Sequence, residues 1–334
     1  MMKRFITSFT IATVLLFVSC SDRKTYREMT GLELHTPYSV KYEASESYDE
    51  EIRQVMQDYY HAINPFDSAS IISHVNRNEP IMVDSIFTSV FTTAMQMAQI
   101  TEGALDVTCA PLINLWGFGF KNDSLAVTQD VIDSIRTFVG YEKVLLQDGH
   151  VIKQDSRILL NFSALGDGCS CDLIGNLLER HGVENYMVEV GGEVRTCGVN
   201  PRGAAWRIGI VTPEDDPDGL NRDLQAVVAL NGTYGLATSG NYRNFYERDG
   251  RKYGHTIDPQ SGYPACQDVL STTVIAPTAM EADAYATALM VMGRERAKRL
   301  ISLQPNIAYY FIYIDENDSI RTEYSASFEP FLAQ

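Results

Sequence analysis

Two residues whose side-chain oxygens could bind a metal ion lie four positions apart in the C-terminal part of the sequence. Asp283 and Thr287 lie in the segment Thr278–Gly293, which opens on a capping box formed by Thr278 and Glu281 and predicts a helix. On a helix, residues four positions apart point to one face. A carboxylate and a hydroxyl on one face are ligands of the kind that Mg²⁺ binds. The alternative is an aspartate that meets the helix dipole, with Thr287 bonded to its own helix.

His255 is the second residue that could do chemistry. It follows Tyr253-Gly254 and precedes a turn cluster over Asp258–Pro264. A single histidine is more often structural or exposed than catalytic. Next to a metal ion and a phosphate group, however, an imidazole is a candidate general base.

The stretch from Ile158 to Val194 contains the elements expected to position a ligand. Ile158–Phe162 predicts a short buried strand, and Gly166 and Gly168 predict a tight turn. The residues that follow predict a helix and then a strand over Tyr186–Val190. A strand, a glycine turn and a helix N-terminus together form a site for an anion such as phosphate. Because the glycines match no P-loop or dinucleotide pattern, an ordinary strand–turn–helix without a ligand is the alternative.

The other elements predict an α+β fold with mixed or antiparallel sheets. Ser21–Glu33 is polar and predicts a tether, and Leu34–Tyr42 alternates like a first strand. Further helices are predicted at Tyr48–Asn64, Asp84–Thr101 and within Asp123–Gly140; a hairpin is predicted at Tyr141–Gln154, a strand at Trp206–Val211, and a pair of strands at Ala226–Leu230 and Thr233–Thr238.

The N-terminus predicts export and lipidation. Lys3 and Arg4 precede an apolar run over Phe5–Val18, and the sequence that ends in Cys20 resembles a bacterial lipobox. We therefore expect residues 1–19 to be a signal peptide, Cys20 to carry the lipid, residues 20–33 to be the tether and residues 34–334 to be one domain. The protein would then be anchored to a bacterial membrane and face the periplasm or the cell exterior. A cleaved, soluble export signal is the alternative.

Composition excludes some partners. The chain has 27 Lys and Arg against 43 Asp and Glu, a net charge of −16, which becomes −18 once residues 1–19 are removed. An acidic surface of this size argues against nucleic acid and anionic lipid as partners. A phosphate ligand would need a bound cation or backbone donors. Beyond Cys20, the cysteines include no CxxC pair and are expected to be mostly small buried residues, with one disulfide left open: Cys109, Cys169, Cys171, Cys197 and Cys266.

Six blocks of sequence together carry a family resemblance. They are Asn64-Pro65-Phe66-Asp67 with Ser70, Ser73 and Asn76; GALDVTCAPLINLWGFG at 103–119; LNFSALGDG at 160–168 with VEVGGEV at 188–194; ATSGNY at 237–242; HTIDPQSGYP at 255–264; and EADAYATALMVMG at 281–293. In this order they resemble the ApbE family of FAD:protein FMN transferases over nearly the whole mature chain. The resemblance implies an ApbE-like α+β fold in two lobes and a magnesium-dependent enzyme. Such an enzyme cleaves the FAD pyrophosphate, transfers FMN to a threonine of a partner protein and releases AMP.

The resemblance also implies roles for single residues. Asp283 and Thr287 match the metal ligands, and the backbone carbonyl of Ala164 would complete that site. His255 matches the base for the acceptor hydroxyl. The residues that match contacts to FAD are Leu34, Phe66, Ala104, Leu105, Asp106 and Ile257. The family implies an acceptor such as a subunit of a Na⁺-translocating NADH:quinone reductase or an Rnf-type complex.

Two positions near the expected nucleotide depart from the family. Asn161 stands where the family commonly has Asp, and Asp167 stands where it usually has Lys. An anion in place of a cation beside a pyrophosphate reverses a local attraction. We therefore expect Asp167→Lys to tighten FAD binding about tenfold. An FAD pyrophosphatase, in which water attacks, and a non-catalytic FAD-binding lipoprotein are the alternative functions.

Overall fold

Several helices begin at a capping residue that is visible in the sequence. The structure, a computed structural model, describes residues 24–33, 36–121, 126–213, 223–240, 245–248, 251–265 and 268–333. The side chains of Ser70, Asp84, Thr128 and Thr278 each accept a hydrogen bond from the backbone N–H three residues later. The helices are α1 (Asp49–Ile63), α2 (Ile71–Asn76), α3 (Ser85–Ile100), α4 (Ala110–Leu115), α5 (Gln129–Arg136), α6 (Ser163–Arg180) and α7 (Ala279–Ile301), with a break in α7 at Gly293.

The strands are antiparallel, and eight of those described form one sheet. They are β1 (Thr25–Glu33), β2 (Thr36–Ala44), β3 (Val144–Gln147), β4 (His150–Lys153), β5 (Tyr186–Val190), β6 (Glu193–Cys197), β7 (Trp206–Val211), β8 (Leu224–Leu230), β9 (Tyr234–Gly240), β10 (Phe245–Arg248), β11 (Arg251–Gly254), β12 (Val269–Ala276), β13 (Ala308–Ile314) and β14 (Ile320–Tyr324). The sheet runs β1-β2-β5-β6-β9-β12-β13-β14, and β3–β4, β7–β8 and β10–β11 are separate pairs. This mixture of helices and antiparallel strands confirms the predicted α+β class.

The large sheet is covered differently on its two faces. Helices pack on one face: Ile52 of α1 and Ile174 of α6 lie with Val40 and Val188 in one core cluster. The hairpin β7–β8 packs on the other face, where Val228 lies in a cluster with β9, β12 and β13. Burial of these apolar side chains on both faces makes the sheet the rigid support for α6 and α7.

The predicted tether is largely a strand. Thr25–Glu33 forms β1, which pairs with β2 along its whole length from Thr25–Ala44 to Glu33–Thr36. Its many charged residues suggested a tether, yet an edge strand exposes one side to water and tolerates charge there. Residues 25–33 of the predicted tether therefore belong to the folded domain.

Two strand predictions were wrong in their partners or form. The segments near 226–230 and 233–238 are strands β8 and β9, but β8 pairs with β7 whereas β9 pairs with β6 and β12. The residues 158–162 form an extended segment with one bridge between Leu159 and Cys109, not a strand. The short loop between β8 and β9 suggested that they pair, and the apolar run suggested a strand over residues 158–162. Tertiary contacts decided both the partners and the form of these segments. The hairpin that turns at Asp148-Gly149 is confirmed as β3–β4.

The cysteines that the structure describes agree with the sequence analysis. Cys109, Cys169, Cys171 and Cys197 are free thiols, and all but Cys197 are buried. Within the described ranges, no helix is both long and apolar enough to cross a membrane. Cys20, with its predicted lipid, lies outside those ranges, as does Cys266.

Candidate active site

One cavity of about 180 Å³ collects most of the residues that the sequence singled out. Its walls come from four separate parts of the chain: the loop before α4, the start of α6, the segment after β11, and α7. The predicted site residues that line it are Ala104, Leu105, Asp106, Asn161, Ala164, His255, Ile257 and Thr287. Residues more than 180 positions apart in the sequence therefore meet at one place.

Asp106 holds the cavity loop in shape. Its Oδ1 accepts hydrogen bonds from the backbone N–H (2.8 Å) and the hydroxyl (2.6 Å) of Thr108, and its Oδ2 accepts one from the Tyr141 N–H (2.8 Å). Burial raises the pKa of this carboxyl, while the bonds from Thr108 and Tyr141 act in the opposite direction. Because both oxygens already have donors, Asp106 positions the wall of the cavity.

Helix α6 begins at the cavity, and its glycines lie inside the helix. Asn161 Oδ1 accepts from the N–H (2.9 Å) and hydroxyl (2.7 Å) of Ser163, the first residue of α6. The predicted glycine turn is therefore wrong. A Cβ on Gly168 would lie 2.3 Å from the carbonyl oxygen of Ala279, and one on Gly166 would lie 2.7 Å from Tyr59 Oη. The glycines allow close packing of helices, and Ser163 and Ala164 at the N-terminus of α6 line the cavity.

Asp283 and Thr287 lie on one face of α7, as the spacing predicted. Asp283 is 6% exposed, and its Oδ2 accepts a 3.3 Å hydrogen bond from the N–H of Gly168. In a regular helix that N–H bonds to the carbonyl of Ala164, so the Asp283 carboxylate lies against the turn that carries this carbonyl. Thr287 lines the cavity, and its Oγ1 is 3.1 Å from Ser239 Oγ.

Buried negative charge surrounds Asp283. Burial, followed by the charge of Asp167, raises the pKa of Asp283 well above its usual range. Burial, with the charges of Asp283 and Asp167, does the same for Glu193. Burial raises the pKa of Asp167 to about 6. Carboxylates placed so close together favour a proton or a cation among them.

The chemistry of the predicted metal ligands suits a magnesium ion. In the ranges that the structure describes, no three His, Cys, Asp or Glu side chains are grouped to hold a metal ion. The predicted ligands are the carboxylate of Asp283, the hydroxyl of Thr287 and the backbone carbonyl of Ala164. Mg²⁺ binds through one or two carboxylates and takes its other ligands from water and substrate phosphate, so a small set of hard oxygens suits it.

His255 lies in the cavity wall on a segment held by a tight turn. Its ring meets Phe118 edge to face, with centroids 6.4 Å apart. Beyond it, Asp258 N–H donates to the Tyr263 carbonyl (2.8 Å), and Trp116 Nε1 donates to the Gly262 carbonyl (2.8 Å). The bond from Trp116 fixes the turn cluster against the C-terminal end of α4. His255 is thus held in the cavity wall.

Comparison with known proteins gives the family. The sequence model of the ApbE family matches residues 34–311. This chain belongs to the ApbE family. The FAD:protein FMN transferase of Vibrio cholerae is 33% identical over 97% of this chain and 98% of its own length, and that of Escherichia coli K12 is 34% identical over 96% of each. The solved flavin transferase ApbE from Vibrio cholerae has a TM-score of 0.82 and covers 92% of this chain and all of its own. These matches confirm the ApbE-like fold.

Of the predicted site residues that the structure describes, Phe66, Asp167 and Asp283 do not line the cavity. Leu34 lies outside the described residues. Phe66 is 75% exposed, and its ring contacts the edge of Phe120, with centroids 6.3 Å apart. Asp167 is half-buried, and its Oδ2 lies close to Gly191. Contacts of Leu34, Phe66 and Asp167 with FAD therefore stay predictions.

Other cavity residues were not singled out from the sequence. Cys109, Phe118, Ser163, Thr256, Pro259 and Val291 also line the cavity. All six lie inside blocks that carry the ApbE resemblance, so the blocks were the available signal. Ser239 belongs to the block ATSGNY, but only its hydrogen bond to Thr287 identifies its place beside the candidate metal ligands.

Proposed function

We propose that this protein is a magnesium-dependent FAD:protein FMN transferase. The main support is that eight predicted site residues from four parts of the chain line one cavity. Relatives that carry the name FAD:protein FMN transferase match nearly the full length of the chain, which supports the same reaction here.

The residues of the cavity suggest a role for each part of the site. The N-terminus of α6, at Ser163 and Ala164, would bind the FAD pyrophosphate through its N–H groups. Asp283, Thr287 and the Ala164 carbonyl would hold Mg²⁺. Bound there, the ion would neutralise phosphate charge and stabilise the leaving group.

His255 would act as the general base. The hydroxyl oxygen of an acceptor threonine attacks the phosphorus of the FMN half of FAD, and its proton passes to the imidazole. A bond forms between the threonine oxygen and that phosphorus, and the bond from phosphorus to the bridging oxygen breaks. The electron pair leaves with AMP. The products are a phosphoester-linked FMN on the acceptor and free AMP.

We also propose that Cys20 carries a lipid that anchors the protein to a bacterial membrane on the periplasmic or outer side. Thr25, the first residue of β1, follows Cys20 by five positions. Five residues span at most about 18 Å. An anchor at Cys20 would therefore hold the first strand close to the membrane, near a membrane-bound acceptor. Cys20→Ser should release the protein into the soluble fraction, and a membrane-bound variant would contradict the anchor.

The reaction can be tested with an acceptor domain. The protein is incubated with FAD, Mg²⁺ and the acceptor, and flavin fluorescence on the denatured acceptor is measured together with AMP. Equal amounts of labelled acceptor and AMP support the transferase. Free FMN and AMP without labelled acceptor would indicate a pyrophosphatase, and bound FAD without AMP a non-catalytic binder. His255→Ala should abolish labelling of the acceptor. His61 is an exposed histidine on α1, and His61→Ala should leave the labelling unchanged.

A further inference from the structure

The orientation of the Thr287 hydroxyl matters for any cation that it binds. A hydroxyl has one proton to donate and two lone pairs. When a lone pair faces a cation, the proton must point elsewhere and requires an acceptor. Ser239 Oγ, 3.1 Å from Thr287 Oγ1, lies in that position. With a cation bound, Thr287 would donate and Ser239 would accept.

A second hydroxyl lies next to Ser239 on the sheet. Thr272 of β12 is the direct cross-strand partner of Ser239 of β9. Directly paired residues point to the same face, with Cβ atoms about 5 Å apart. That face is the one covered by α7, because Ala237 and Val274 on it share a core cluster with Ala286 of α7.

Thr272 is also an unusual buried residue. Its side chain is 0% exposed, and its Oγ1 has no hydrogen-bond partner among the described residues. A buried hydroxyl without a partner destabilises a fold, and valine would occupy the same space without that penalty. A role in positioning Thr287 would explain a hydroxyl at this place.

We propose that Ser239 and Thr272 are positioning residues for the cation site. Thr287 donates its proton to Ser239, and Ser239 in turn donates to Thr272 after rotation of its side chain. This short chain of hydroxyls keeps a lone pair of Thr287 directed at the cation. The inference rests on the proposed function, since it assumes that Asp283 and Thr287 bind Mg²⁺.

The proposal is tested by measuring the cation affinity of the full-length chain in detergent. Mn²⁺, which takes the same oxygen ligands as Mg²⁺, is titrated and the free ion is measured by electron paramagnetic resonance. Ser239→Ala and Thr272→Val should each raise the Kd for Mn²⁺ about tenfold, the lower end of what loss of an outer-shell partner costs. Ser239→Thr, which keeps the hydroxyl, should restore binding.

Ser271 offers a matched control. Its hydroxyl is also buried without a partner among the described residues, but it points to the opposite face of β12. Ser271→Ala should leave the Kd unchanged. If Thr272→Val raises thermal stability and leaves the Kd unchanged, Thr272 is merely structural and the proposal is overturned.

The wild-type titration distinguishes failure of the metal site from failure of the positioning role. If wild-type protein does not bind Mn²⁺, the proposed metal site is wrong and the positioning role falls with it. If wild-type protein and Ser239→Ala bind Mn²⁺ equally, only the positioning role is overturned. Thermal unfolding of each variant without metal shows whether it is folded, so that a change in Kd is not mistaken for loss of structure.

Discussion

Asp172 on α6 caps the start of α7 through Met280. Asp172 Oδ2 accepts a hydrogen bond from the Met280 N–H at 2.9 Å, and Oδ1 accepts one from Ala279 at 3.0 Å. These N–H groups belong to the first turn of α7 and would otherwise be unsatisfied. Arg195 Nη1 lies 3.4 Å from Asp172 Oδ1 and completes a buried ion pair. The bonds fix the relative position of two helices that carry Ala164, Asp283 and Thr287.

Asp172→Ala should therefore destabilise the protein and weaken the site together. Loss of one member of a buried ion pair, together with the cap, should lower the free energy of unfolding by about 3 kcal/mol. Chemical denaturation monitored by circular dichroism measures this. Asp172→Asn keeps one acceptor oxygen and should lower the free energy of unfolding by a smaller amount.

Glu179 provides the control for this pair. Its Oε1 lies 2.9 Å from Nη2 of the same Arg195, but its side chain is 40% exposed. An exposed ion pair contributes about 0–1 kcal/mol. Glu179→Gln should therefore lower the free energy of unfolding only slightly. Similar losses for Glu179→Gln and Asp172→Ala would mean that the contact with α7 is not what makes Asp172 important.

Asp283→Asn should have opposite effects on stability without and with Mg²⁺. Without metal, the wild-type protein buries a carboxylate beside Asp167, so the neutral amide should raise Tm by a few degrees. With Mg²⁺ at about 100 times its Kd, the wild-type protein gains about 2.7 kcal/mol and the variant does not. Thermal unfolding in EDTA and in Mg²⁺ should show this reversal of order.

Activity is the second measurement on Asp283→Asn. Turnover of FAD should be lost at ordinary Mg²⁺ concentrations while unfolding stays cooperative. An unfolded variant, or one with wild-type activity, would indicate that Asp283 only supports the helix. Glu281→Gln is the matched control, because Glu281 is an acidic residue of the same helix that belongs to its N-terminal cap.

Local sequence predicted the elements but not all of their partners. Helices α1, α3 and α7 and the hairpin β3–β4 follow from apolar periodicity, capping residues and the Asp148-Gly149 turn, all of which act within a few residues. The place of Gly168 depends instead on Ala279, more than a hundred positions away. Glycine is typical of turns, and no nearby residue distinguishes a turn from close helix packing.

In the candidate site, too, local sequence predicted some features, whereas others depend on contacts between distant residues. The i, i+4 spacing predicted that Asp283 and Thr287 share a face, and the family blocks indicated most of the cavity wall. The hydrogen bond between Ser239 and Thr287, and the pairing of Thr272 with Ser239, depend on sheet order. Sheet order is set by contacts that are distant in sequence and leave no local pattern.

The two buried glycines of α6 should respond differently to alanine. A Cβ on Gly168 would meet backbone atoms of α7, and the helices would have to separate, which costs about 1–3 kcal/mol. A Cβ on Gly166 would meet only the hydroxyl of Tyr59. In a Tyr59→Phe background, Gly166→Ala should therefore become stabilising by up to about 1 kcal/mol through helix propensity.

Denaturation curves for both glycine variants, with and without Tyr59→Phe, measure this difference. Gly168→Ala should stay destabilising in both backgrounds and should also weaken Mn²⁺ binding, because Asp283 moves away from α6. Equal rescue of both variants by Tyr59→Phe would contradict the proposed contact between Gly168 and α7.

Asp167 should make stability depend on pH. Burial raises its pKa in the folded protein to about 6, above the usual value of 3.8. The folded state therefore binds the proton more tightly than the unfolded state. The resulting stability is fully present below about pH 4 and is lost as the pH rises through 6. In EDTA, Asp167→Asn should have a higher Tm than wild type at pH 7.5, and the difference should shrink towards pH 4.

Binding of FAD tests the other expectation for this residue. Asp167 lies close enough to Asp283 and Glu193 to raise the pKa of both carboxyls. A lysine at 167 would therefore compensate buried negative charge when no cation is present. Asp167→Lys should tighten FAD binding about tenfold in EDTA, and the gain should fall when Mg²⁺ already neutralises these carboxylates. Fluorescence titrations of FAD under both conditions measure this. An equal gain with and without Mg²⁺ would instead indicate that the lysine contacts the pyrophosphate directly, as the family pattern implies.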